Sequence, residues 1–173
     1  MPYTLLNQYK NESNILSKAY ELNENYYLFI HKILTYPIII LSAFSTVIAG
    51  LRKPELEFLL LGLSLGILIF SGFNTAVQPK DKQFLSNKIS TEFSEISLNI
   101  NQFIKENSKT KEEVKAYSQK ILSLFEVWKS MAGEIHPKHL ARARLECAVR
   151  VERISHSSKK KEIMPLKEIT LQI

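Results

Sequence analysis

The chain has almost no cysteine. Cys147 stands alone in 173 residues, which excludes an intramolecular disulfide framework and any multi-cysteine metal site. Charge is missing from two long stretches: residues 33–51 and 58–77 hold no Asp, Glu, Lys or Arg. At 1.5 Å per residue each run spans about 30 Å, the thickness of bilayer hydrocarbon. With no carboxylate or amine inside either run, a proton relay or charge-coupled transporter lacks the groups it needs. No Ser/His/Asp or Cys/His arrangement and no glycine-rich phosphate loop is readable, so the expectation is not an enzyme and no cofactor. No cleavable signal peptide is expected, because the first apolar run begins only at Ile33 and is too long for one.

What is present is segregated. The chain is 45% hydrophobic and 23% charged with a net charge of +6, averages that resemble a soluble globular protein. By segment, 1–32 is neutral, 52–57 is neutral, and 78–173 carries the whole +6. Spanning strands need only about 10 alternating residues, so the two uncharged runs read as helices, which satisfy their own backbone in lipid. The connector Arg52-Lys53-Pro54-Glu55-Leu56-Glu57 allows only a tight turn, which predicts a transmembrane hairpin (33–51, turn 52–57, 58–77). Lys80, Lys82 and Lys88 follow the second run closely. The positive-inside rule then places both termini on the cytosolic side.

Helical periodicity continues outside the hairpin. Leu85, Ile89, Phe93, Ile96, Ile100 and Phe103 recur every three or four residues. Asn107-Ser108-Lys109-Thr110 interrupts them, and Thr110 with Glu113 forms a capping-box pattern. Val114, Tyr117, Ile121, Leu124, Trp128 and Met131 form a heptad-like, coiled-coil seam, with Gly133 at its C-terminal end. The leader 1–32 offers a third stripe through Leu5, Tyr9, Leu16, Ala19 or Tyr20, Tyr26 or Tyr27, and Ile30. The expected fold class is all-α: a two-helix membrane hairpin with a cytosolic helical bundle from the leader and the C-terminal region. Its expected parts are an amphipathic leader helix (1–32), the hairpin (33–77), an antiparallel helical pair (78–133), and a basic helix opened by Pro137 with a weakly ordered tail (134–173).

The candidate functional residues are few. Ser42, Ser45 and Thr46 on the first span, and Ser64, Ser71, Asn74 and Thr75 on the second, could line a polar path between subunits or hold helices together. Gly62 and Gly66 make a GxxxG pattern, with Gly72 beyond it, and are packing candidates. Arg142, Arg144, Arg150, Arg153, Lys159, Lys160 and Lys161 form a basic strip that could face lipid or a partner. Nucleic acid is not the expected partner, since no aromatic residues interleave with the strip. His136, His139 and His156 lack the neighbours that a metal site needs.

The layout and some of the residues resemble a known family. A polar leader helix, the segment Tyr36-Pro37-Ile38-Ile39-Ile40-Leu41-Ser42-Ala43, a short turn, a second span and a helical C-terminal region resemble the SLATT proteins, two-transmembrane effectors. The versions carried by large DNA viruses of eukaryotes look most similar. Ile135-His136-Pro137-Lys138-His139-Leu140 is similar to a proline-containing segment that follows the helical region in those viral members. The resemblance covers about residues 15–145. Gln83-Phe84-Leu85 departs from it, lacking the histidine expected early in the helix after the second span. The resemblance implies a homo-oligomeric membrane effector that forms pores. Its lipid bilayer and other copies of itself would be its partners, with a further protein docking on the cytosolic helices. A non-conducting structural protein, such as a virion membrane component, is the other expectation.

Overall fold

The computed structural model describes residues 2–106 and 109–150. Its described elements are α1 (Pro2–Gly50), a single 3-10 turn (Pro54–Leu56), α2 (Glu57–Val77), α3 (Pro79–Lys105) and α4 (Lys111–Met131). Residues 137–150 are also helical. Among the described residues there is no strand, so the fold is all-α. Two compact units divide the chain: Met1–Tyr20 with Ile89–Ile173, and Glu21–Lys88.

The leader and the first apolar run are one helix. α1 continues for 49 residues and includes Pro37. An internal proline costs a helix in water about 3 kcal/mol because it removes an N–H and crowds the carbonyl four residues back. Such prolines are tolerated in apolar helices whose freed groups find other partners. No charged residue, glycine or turn signal stands between 28 and 37 except His31-Lys32, so nothing local stops the helix at 32. α2 and α3, by contrast, are separated by one residue. Gln78 takes a left-handed conformation (φ 47°) and its N–H closes on the Asn74 carbonyl at 3.1 Å. Pro79 explains the break, since proline disfavours the α conformation in the residue before it.

In the first unit, α1, α3 and α4 share one hydrophobic core. Leu6 and Tyr20 come from α1, Ile89, Phe93, Ile96 and Ile100 from α3, and Val114, Ile121 and Phe125 from α4. Phe125 is central: its ring lies 5.4 Å from both Tyr9 and Phe93. Phe103 and Tyr117 stack at 3.8 Å with nearly parallel planes. The capping box opens α4 as expected. Glu113 N–H donates to the Thr110 hydroxyl at 3.3 Å, and Thr110 N–H donates to the Glu113 carboxylate at 2.7 Å.

The buried stripe of α4 is rotated from the heptad seam. Val114, Ser118, Ile121 and Phe125 are buried, whereas Leu124 is 40% and Met131 58% exposed. Near the start of α1, Leu6 is buried and Leu5 is exposed. Gly133 is not a left-handed cap, since no glycine among the described residues has positive φ. Its carbonyl instead accepts the Tyr20 hydroxyl at 2.8 Å.

A polar seam joins α1 to α3 within this unit. The Ser90 hydroxyl donates to the Ser17 carbonyl at 2.8 Å, Ser97 to the Asn14 side chain at 2.7 Å, and Lys10 to the Asn101 side chain at 2.8 Å. Small hydroxyl residues permit close helix approach while satisfying their own polar atoms. Ser13 is the exception, its hydroxyl buried without a partner.

Candidate functional site

The second unit inverts this pattern. Its buried residues are Asn23, Pro79 and Ser86, and the Asn23 amide donates to the Ser86 hydroxyl at 3.2 Å. Two helices are long and apolar enough to cross a membrane, and no residue in the most apolar 18-residue window of either is buried. Phe44, Val47, Phe58, Leu61 and Leu68 are all more than half exposed. Such exposure of large apolar side chains is what a helix suited to lipid surroundings shows.

Contacts in this unit run in antiparallel order. Asn23 meets Ser86, the Lys82 ammonium lies 5.7 Å from the Tyr27 ring centre, and a β-carbon on Gly66 would lie 3.3 Å from Leu41 Cδ1. On α2 the half-buried residues are Leu60, Leu63, Gly66, Ile67, Phe70, Asn74 and Val77. Their spacing of three or four residues is one helix face, and Gly66 on that face meets Leu41 of α1.

The seven polar candidates divide by this geometry. Ser42, Ser45 and Asn74 are half-buried, whereas Thr46, Ser64, Ser71 and Thr75 are exposed. Thr46 donates to the Ser42 carbonyl at 2.9 Å and Thr75 to the Ser71 carbonyl at 3.0 Å. The Ser45 hydroxyl and the Asn74 carbonyl oxygen are buried with no partner. Near one end of the first run, Thr35 and His31 are linked at 3.2 Å. The glycines divide as well: only Gly66 is packed against a side chain, while Gly62 and Gly72 face open space.

The basic strip is described only in part. Arg142, Arg144 and Arg150 are exposed. Arg142 binds the Glu146 carboxylate at 2.8 Å, which helps hold that carboxyl below its usual range. Arg153, His156, Lys159, Lys160 and Lys161 lie outside the described residues. His136 accepts the Lys138 N–H on Nδ1 at 3.3 Å and so caps the helix that Pro137 begins. Burial, His136 and Arg142 together push the His139 pKa down. Among the described residues no group of three or more His, Cys, Asp or Glu lies together to hold a metal. An open groove of about 370 Å³ runs between α3 and α4 beside the Phe103–Tyr117 stack, with Asn99, Gln102, Lys120 and Leu124 in its walls.

No family model, curated protein or solved structure matches the chain. The class this geometry defines is an all-helical protein with two helices fit to cross a bilayer.

Proposed function

We propose that the chain is an oligomeric, two-span integral membrane protein of the SLATT type whose assembled copies permeabilise the bilayer. In this reading α1 and α2 form a transmembrane hairpin with the Arg52-Lys53 turn outside and both flanks in the cytosol. The excess of Lys80, Lys82 and Lys88 over the balanced turn supports that orientation. The unit built on Phe93 and Phe125 is then a cytosolic assembly or docking module.

The observation that carries the reading is the exposure of Thr46, Ser64, Ser71 and Thr75 in otherwise apolar helices. At 100° per residue, with the two helices antiparallel, Ser42 and Thr46 fall on the same edge of the pair as Ser64, Ser71 and Thr75. One edge is therefore polar and the remainder apolar. Two helices cannot enclose a pore, so several polar edges must converge around an axis. The structural reading has its own support, because Thr46 and Thr75 already bond to carbonyls of their own helices. Such hydroxyls need no water and can serve as interhelix contacts.

Dye and ion release from liposomes holding the purified protein separates the two. Protein-dependent release that falls in Ser71→Leu supports conduction along the polar edge. A well-inserted oligomer that releases nothing, with or without host lysate, supports the non-conducting scaffold.

A further inference from the structure

We infer that the charged end of the spanning pair, residues 26–32 and 79–84, is a collar that binds the headgroups of anionic phospholipids. The inference rests on the membrane-spanning reading above.

Three lysines make the collar. Lys32 directly precedes the first uncharged run, and Lys80 and Lys82 follow the second by three and five residues. At 1.5 Å per residue all three ammonium stems start within about 8 Å of the hydrocarbon edge, which is headgroup depth. All three are exposed. None is in an ion pair among the described residues, whereas Lys18, Lys109 and Lys129 each reach a carboxylate at 3.8, 2.7 and 3.9 Å. Asp81 is the one acidic residue in these two segments. Three cations against one carboxylate leave charge that a phosphodiester can neutralise.

Aromatic rings sit at the same depth. Phe29 is 61% and Phe84 72% exposed, and the Lys82 ammonium lies over the Tyr27 ring at 5.7 Å. Rings at this level fit the boundary between acyl chains and headgroups. Lysine stems can lie along them while the ammonium reaches the phosphate. The other end of the pair is different in kind. Arg52 and Lys53 are balanced there by Glu55 and Glu57, so that end has no net attraction for anions. The collar therefore selects for headgroup charge in one leaflet only.

The test uses the full chain in phosphatidylcholine bilayers containing trace spin-labelled phosphatidylglycerol or phosphatidylcholine. The fraction of each label immobilised by the protein is read by electron spin resonance. The expected result is a preference for phosphatidylglycerol that weakens about fivefold for each lysine removed in Lys32→Gln, Lys80→Gln and Lys82→Gln. High salt should weaken it as well. Equal immobilisation of the two labels by the wild type, or an undiminished preference in the triple variant, overturns the collar. Loss of the preference on adding inorganic phosphate at constant ionic strength assigns the site to free phosphate and overturns the lipid source. The number of phosphatidylcholine labels immobilised per protein reports the span itself. If that number is zero the spanning reading fails, whatever the headgroup preference.

Discussion

Two regions of one chain use the same apolar residue types in opposite ways. The unit of Met1–Tyr20 and Ile89–Ile173 hides Leu6, Phe93, Ile100 and Phe125 almost completely. The unit of Glu21–Lys88 leaves Phe44, Val47, Phe58 and Leu68 open, and what it buries is Asn23, Pro79 and Ser86. In water, burying apolar area contributes roughly 25 cal/mol per Å², so the first unit can be held together by its own core. The second has no such core, and on the proposed spanning reading the bilayer supplies its apolar surroundings. In lipid, close packing and hydrogen bonds replace the hydrophobic effect as the forces between helices. A substitution should therefore have different consequences according to the unit it falls in.

The largest effect is expected at Phe125. Phe125→Ala removes the ring that touches Tyr9 and Phe93 and should cost about 3–5 kcal/mol in the first unit. Denaturant titration followed by circular dichroism in detergent would measure it, and resistance to carbonate extraction would report insertion separately. Unfolding of the first unit with insertion retained supports the comparison. Loss of both together would show that the two units are one cooperative block. Leu124→Asp, one residue away but 40% exposed, should cost less than about 1 kcal/mol in the same titration.

That contrast also marks what could be read in the sequence. Charge-free runs of hydrocarbon length identify the spanning candidates directly, and Ile89, Phe93, Ile96 and Ile100 of the α3 stripe are buried as their spacing implies, whereas Leu85 at its start is 42% exposed. The face of α4 was harder to read. Leu124 and Phe125 are adjacent and both apolar, and a 3.5-residue period selects Leu124 while the observed 3.6-residue stripe selects Phe125. The α1–α3 seam does not follow from apolar periodicity. Its signal was present in Ser13 and Ser17, and in Ser86, Ser90 and Ser97, small hydroxyls recurring at helical spacing. Which polar residues of the spans face α1 or α2 was not legible either. Ser45 and Ser71 look alike in sequence, and only pairing of the helices makes one half-buried and the other exposed.

A smaller effect should distinguish the two glycines of the GxxxG pattern. Gly66→Leu must displace Leu41, whose methyl already lies 3.3 Å from the first added carbon. Overpacking of this kind costs about 1–3 kcal/mol, and it should appear as weakened association of α1 with α2 inside one copy. Gly62→Leu meets nothing within 4 Å and should leave that association unchanged. Denaturant titration in detergent reads the Gly66→Leu cost against wild type, and cross-linking yield between Leu41→Cys and Gly66→Cys in a Cys147→Ser background, with and without Gly62→Leu, reads the effect of Gly62 on the pair. If Gly62→Leu alters oligomer size while the cross-link persists, Gly62 lies between copies. A lost cross-link would place it inside the hairpin and contradict the open space around it.

An effect smaller than those at Phe125 and Gly66 is expected at Tyr20, and its size depends on pH. Burial pushes the phenol up to about 12, and its hydroxyl donates to the Gly133 carbonyl at 2.8 Å. The unfolded chain releases this proton near pH 10. Between those values the folded state binds the proton more tightly than the unfolded state does. The stability contributed is thus fully present below pH 10 and is lost as pH rises through 12. Tyr20→Phe should cost about 1 kcal/mol at pH 7 through the missing hydrogen bond. It should also remove this residue's share of the alkaline loss, so the wild-type and variant stabilities converge between pH 10 and 12. Parallel curves over that interval would show that the phenol ionises while still folded. Lysine deprotonation affects both proteins alike and cancels in the difference.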